Sequence, residues 1–232
     1  MMKHFILLIV LTFNLNLNAQ HIDHSIWTTF LQKYVTNHGL VNYKAISANP
    51  SELNAYLSQF SEISPKDSWT KNEILAYWIN AYNAFTIKLI IDKYPVNSIK
   101  DINDPWDKKF ILIDGNLRSL NYIEHNVLRE MKEPCIHFAI NCASKSCPKL
   151  LNEAYTADKL DKQLDNAAIT FINSDKNQLT PGNIRISKIF KWFSKDFETK
   201  GSVIDFINQY AKTKISPKES FGYLDYNWNL NE

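Results

Sequence analysis

Between Thr70 and Pro95 runs TKNEILAYWINAYNAFTIKLIIDKYP, a stretch whose apolar residues fall on more than one face of a helix. Ile74, Tyr77, Trp78, Ala81, Phe85 and Leu89 make one stripe at helical spacing, and Asn80, Asn83, Ala84, Ile87 and Ile91 make a second. Thr70 with Glu73 forms a capping box at its start, and Pro95 closes it. A helix apolar nearly all round must be covered nearly all round. The rest of the chain is therefore expected to fold around this helix.

The neighbouring segments supply the cover. SIWTTFLQKYVTNHG carries Ile26, Phe30, Leu31 and Tyr34 at helical spacing and is expected to stop at Gly39. SELNAYLSQFSEI repeats the pattern with Leu53, Tyr56, Leu57 and Phe60. KKFILIDGNLRSL reads as a β-hairpin turning at Asp114-Gly115. LNYIEHNVLREM returns to helical spacing, and CIHFAIN reads as a buried strand. TADKLDKQLDNAAITFINS is a helix with Leu160, Leu164, Ala168 and Phe171 inward and Thr156 as its cap. A turn at Pro181-Gly182, a strand NIRIS, helical KIFKWFSKDF and SVIDFINQYA, and a final strand YLDYNWNL complete the chain. Helices with short strands and no βαβ rhythm predict an α+β domain, a buried central helix packed on a small sheet with helices around it.

The first residues bear on the compartment. A short basic start, Lys3-His4, leads into the apolar run Phe5–Phe13, too short for a bilayer span of roughly 20 residues. Such a run reads as a signal peptide, 1–19, with cleavage near Ala19, so the protein is expected to be secreted or periplasmic, without a transmembrane helix. The mature domain then spans 20–232. Without Lys3, Lys+Arg is 26 − 1 = 25 against 24 Asp+Glu, and a net charge of +1 with no basic run gives no reason to expect nucleic acid. A small-molecule or peptide ligand is the expected partner, and no cofactor is called for.

Export changes how Cys135, Cys142 and Cys147 are read, because nearby thiols in an oxidising compartment tend to pair and an odd count leaves one over. Cys142 closes the apolar run of IHFAINCASKSCPKL and enters a turn, where a nucleophile could meet substrate. The histidines are 4, 21, 24, 38, 125 and 137, so any Cys–His pair here runs histidine first, a permuted order. His125 stands on the helix leading to the cysteine segment and is the first choice of base. His137 is the second, since an unbroken strand would hold it about 16 Å from Cys142 and on the opposite face. A Cys142–Cys147 disulfide is the competing reading, and the spacing of these residues does not match a zinc site. Asn80 and Asn83, at i and i+3, are either a satisfied core network or amides that orient a substrate.

AYWINAYNAFTIKLI, YPVNSI, SLNYIEHNVLR, IHFAINCASKSCPKL, AYTADKLDKQL and SKIFKWFSKDF, taken in order over about residues 65–200, resemble the family known as domain of unknown function 547. The resemblance implies one compact domain and carries no activity with it. It also implies that the family pattern runs through Asn80, Tyr82, Asn83, Glu124, His125, His137 and Cys142, from separate segments that could meet in one pocket. Two functions are expected from these residues. The first is a hydrolase or acyltransferase with Cys142 as nucleophile, His125 or His137 as base, and Asn80 or Asn83 as an orienting amide. The second is a non-catalytic binding or envelope-associated module stapled by Cys142–Cys147.

Overall fold

A computed structural model describes residues 21–232, so the expected signal segment lies outside the described residues. Helices α1 (His24–Tyr34), α2 (Tyr43–Ala48) and α3 (Ser51–Glu62) lead into α4 (Lys71–Ile91). α4 is the predicted central helix: 16 of its 21 residues are buried. Thr70 accepts from the Glu73 N–H, and Glu73 accepts from the Thr70 N–H, which completes the capping box. Among the described residues it is also the one helix long and apolar enough to cross a membrane, but 89% of its apolar window is covered by the protein. It is a core helix.

α1 packs on α3, and α2 and α3 pack on α4. The inner face of α1 includes Trp27 rather than Ile26, which is exposed. The helix also ends earlier than predicted, at Tyr34, because Val35 turns extended and bridges Val41. Gly39 belongs to that turn at φ +80, and a Cβ there would sit 2.9 Å from the Leu150 backbone nitrogen. Only glycine lets the two segments approach this closely.

The hairpin forms where predicted, β1 (Ile111–Ile113) against β2 (Asn116–Arg118), with Asp114 and Gly115 both at positive φ as a tight hairpin turn requires. The helix after it, Tyr122–Leu128, is a π-helix, closed by the Arg129 N–H reaching Glu124 O five residues back. More residues per turn bring consecutive side chains closer in direction than an α-helix does.

CIHFAIN is not a strand. Pro134, with the Glu133 carboxylate accepting from the Cys135 N–H at 3.1 Å, starts a 3-10 turn over Pro134–Phe138. Cys135, Ile136, His137 and Phe138 are all buried, so apolar periodicity alone could not tell a strand from a tight buried turn.

Helix α5 (Leu160–Ile172) buries Leu160, Leu164, Ala168 and Phe171 as predicted, but it begins at Leu160 rather than after Thr156. β3 (Gln178–Thr180) and β4 (Asn183–Ile186) pair antiparallel around Pro181-Gly182. Short helices α6 (Ile189–Trp192) and α7 (Ser194–Phe197) and the longer α8 (Val203–Tyr210) follow. β5 is Phe221–Tyr223, parallel to β4, so the predicted final strand begins and ends earlier.

Residues 224–231 instead run as an extended tail across the 144–146 segment. Lys145 N–H donates to Asn229 O at 2.8 Å and Ser146 N–H to Asn227 O at 3.2 Å. Val41 N–H donates to Asn231 O at 2.7 Å. Two separate small sheets among helices make the domain α+β.

Candidate active site

The segment after the 3-10 turn has no regular structure, and α4 holds it in place. Asn83 accepts from the Asn141 N–H at 2.8 Å and donates to Ala139 O at 2.9 Å. Asn141 in turn accepts from the Ala143 N–H and donates to Pro148 O, both at 2.8 Å. One amide thus ties the two ends of the 141–148 loop, and Ala143 takes φ 59 inside it.

This closure folds Cys147 back over Cys142. The Cys142 N–H donates to Cys147 Sγ at 3.1 Å, Ser144 Oγ–H reaches the same sulfur at 3.1 Å and Tyr226 Oη–H at 3.2 Å. Cys142 Sγ has only longer contacts, 3.6 Å to Ser144 Oγ and 3.5 Å to Tyr226 Oη. Burial opposes charge on Cys147, but the donors around it outweigh burial and bring the thiol down to about 6. Cys142 moves the other way, raised chiefly by the Cys147 sulfur and then by burial. Negative charge belongs on Cys147. The structure holds all three cysteines as thiols, with the Cys147 sulfur accepting hydrogen bonds.

Both cysteines line a cavity of about 330 Å³ together with Glu124, His125, His137, Tyr82 and an aromatic wall. That wall is Trp106, Trp192, Tyr226 and Trp228, with the Tyr226 and Trp228 rings 4.6 Å apart. The 3-10 turn is what brings His137 to the same cavity as Cys142, in place of the separation a strand would impose. No hydrogen bond joins either histidine to either sulfur among the described residues. Asn80 and Asn83 do not line the cavity. Asn80 is satisfied by the Tyr155 backbone, donating at 2.7 Å and accepting at 3.0 Å, and Asn83 acts on the loop as described.

The proton positions on the two imidazoles follow from their partners. Arg129 Nη1 lies 2.7 Å from His125 Nδ1, and a guanidinium can only donate, so His125 carries its proton on Nε2. Burial and then Arg129 lower the His125 pKa, which keeps the ring neutral. With Nδ1 accepting and Nε2 protonated, His125 has no lone pair left to act as base; it is a donor.

His137 Nε2 lies 2.8 Å from Asp196 Oδ2, while Arg129 grips both oxygens of Asp196 at 2.6 and 2.9 Å. Burial disfavours charge on Asp196, but His137 and Arg129 hold it well below the usual carboxylate range. Asp196 must then accept, His137 Nε2 donates, and Nδ1 keeps its lone pair. That nitrogen is buried without a partner, on a ring lowered in pKa by burial and stacked 4.0 Å from Phe193. The base-competent imidazole is His137.

Glu124 also lines the cavity, 7% exposed, and Tyr82 Oη–H donates to its Oε2 at 3.1 Å. Burial pushes its carboxyl up to about 7. Its place beside His125 in the cavity comes from the π-helix. Among the described residues no three His, Cys, Asp or Glu side chains gather as a metal site would require.

Sequence reasoning set Cys147 only as a disulfide partner, met Glu124 only through the family resemblance without giving it a role, and passed over Arg129 and Asp196. Arg129, at i+4 from His125, was within reach of helical spacing. Asp196 and Tyr226, 67 and 84 residues from their partners Arg129 and Cys142, gave no local signal.

No curated protein and no solved structure matches this chain. The model of one family matches residues 66–172, which carry α4, the π-helix, the 3-10 turn, Cys142 and Cys147 and all of α5, and stop short of Asp196 and Tyr226. That family is described as "Protein of unknown function, DUF547", and residues 66–172 are similar to it.

Proposed function

We propose that the cavity is the active site of a thiol-dependent hydrolase or acyltransferase in which Cys147, rather than Cys142, is the nucleophile. The observation that carries this is the convergence of three donors on one sulfur at the wall of an aromatic cavity. A thiolate is the reacting form, and a thiol near 6 is mostly ionised at neutral pH. Cys147 attacks an acyl carbon, a carbon–sulfur bond forms, and the carbonyl oxygen takes the charge, met by His125 Nε2–H. The bond to the leaving group breaks as Glu124, half-protonated near neutrality, gives it a proton. Water then attacks the thioester, losing a proton to His137 Nδ1, and the thiolate departs. Solvent returns the proton from His137 to Glu124. The short apolar run at the N-terminus supports export, which would put this chemistry outside the cytoplasm.

A second reading is a binding or envelope-associated module stapled by Cys142–Cys147, favoured by the closeness of the two residues in the loop. Iodoacetamide at pH 6–7 with peptide mapping separates the two. The thiolate reading expects Cys147 to label ahead of Cys142 and Cys135 in the folded, non-reduced protein, and Cys147→Ser to abolish turnover of simple thioesters and aryl esters. Labelling of Cys147 only after reductant, with Cys142 released in the same step, would replace it with the staple. Labelling only after denaturation would remove the nucleophile altogether.

A further inference from the structure

Cys147 and Pro148 border a second cleft as well. This cleft is a larger space of about 570 Å³, and both residues line it as well as the aromatic cavity. Its walls are the 37–40 turn, the 144–149 segment, the end of α5 and Asn231. The two spaces differ in chemistry. The first is walled by tryptophans; the second presents Lys145, Lys149 and Lys176, with His38, against the single acid Asp175. Asp175 lies 3.4 Å from Lys176, and Lys145 and Lys149 form no ion pair among the described residues. Gly39 brings the turn against Leu150 and so sets the depth of this cleft.

We propose that this second cleft seats the group that leaves the acyl carbon and the acceptor that replaces it, and that this group is a small amine or alcohol bearing a carboxylate. This deepens the acyl-transfer reading above and rests on it for the role of Cys147. The acyl portion occupies the aromatic cavity, which has no unpaired cation to offer. By microscopic reversibility the acceptor enters where the leaving group departed, in the cleft that shares Cys147 with the aromatic cavity. There two uncompensated ammonium groups favour an anion. In the transfer step the acceptor nitrogen or oxygen bonds to the acyl carbon, the carbon–sulfur bond breaks, and the acceptor's proton passes to the Glu124 carboxylate, the group that had protonated the leaving group.

A binding titration tests the cleft independently of catalysis. N-acetylglycine, its neutral amide N-acetylglycinamide and inorganic phosphate are titrated against the full protein while backbone amide shifts are followed by NMR. The carboxylate probe is expected to shift residues 37–40 and 145–149 saturably, and Lys145→Gln/Lys149→Gln, two exposed changes, to weaken it roughly fivefold to tenfold. Equal binding of the neutral amide, unchanged binding by the double variant, absence of saturation, or binding of phosphate alone would each overturn the proposal. Bound N-acetylglycine is also expected to slow iodoacetamide labelling of Cys147 several-fold in the wild-type protein. If Cys147 never labels, the nucleophile reading fails, while the shift titration still decides the cleft.

Discussion

At the scale of single residues, the site runs on where protons are placed. Arg129 serves both imidazoles at once, fixing one tautomer through His125 Nδ1 and the other through Asp196. Glu124 gives a pH signature. In the unfolded chain it ionises near 4.5 and in the folded protein near 7, so between these values the native state holds one proton more than the unfolded state. Stability from this group is therefore fully present below about 4.5 and lost as pH rises to about 7, a swing on the order of 3 kcal/mol. Glu124→Gln removes that swing. Thermal melts should show the variant gaining on wild type steadily from pH 4.5 to 7 and holding the gain above it. A constant difference across that range would show that Glu124 titrates normally.

At the scale of elements, the same chemical group does different work at Asn80 and Asn83. Both amides are buried on α4, but one holds Tyr155 and the other holds the start of the cysteine loop. Either change to alanine leaves buried backbone groups unpaired and should cost about 1–3 kcal/mol for each. Only Asn83→Ala is expected to slow iodoacetamide labelling of Cys147 as well, because the loop that aims the Cys142 N–H at its sulfur loses its anchor. Equal labelling in both variants would detach the loop geometry from Asn83. The elements also mark what could be read from sequence. α4, its capping box, the hairpin at Asp114-Gly115 and the inner face of α5 follow local rules of period, cap and turn, and all were legible. The 3-10 turn at Pro134 was not, because a short run buried on all sides has no exposed face to betray its period. His125, His137 and Cys142 were found as residue types able to do chemistry. The partners that decide their roles, Asp196 and Tyr226, arrive through tertiary packing that no window of sequence contains.

At the scale of the whole molecule, the tail closes the fold onto its site. Beyond β5 it bonds to segments near 41, 97 and 145, and delivers Tyr226 and Trp228 to the cavity. Ending the chain after Leu224 should cost several kcal/mol, on the order of 1 kcal/mol for each of the backbone bonds at Val41, Lys145, Ser146 and Leu230. Tyr226→Phe keeps the packing and removes only the hydroxyl, so it should melt within about 1 kcal/mol of wild type yet label more slowly at Cys147, as the thiol loses a donor. Unchanged labelling in Tyr226→Phe would mean that the backbone donor alone sets the thiolate. The tail also gives the site a timetable. Tyr226 is made 79 residues after the cysteine whose charge it stabilises. A growing chain therefore exposes Cys147 as an ordinary thiol, slow to react, for as long as the ribosome still holds the tail. If Cys147 is the nucleophile proposed above, it is armed only when the fold is finished.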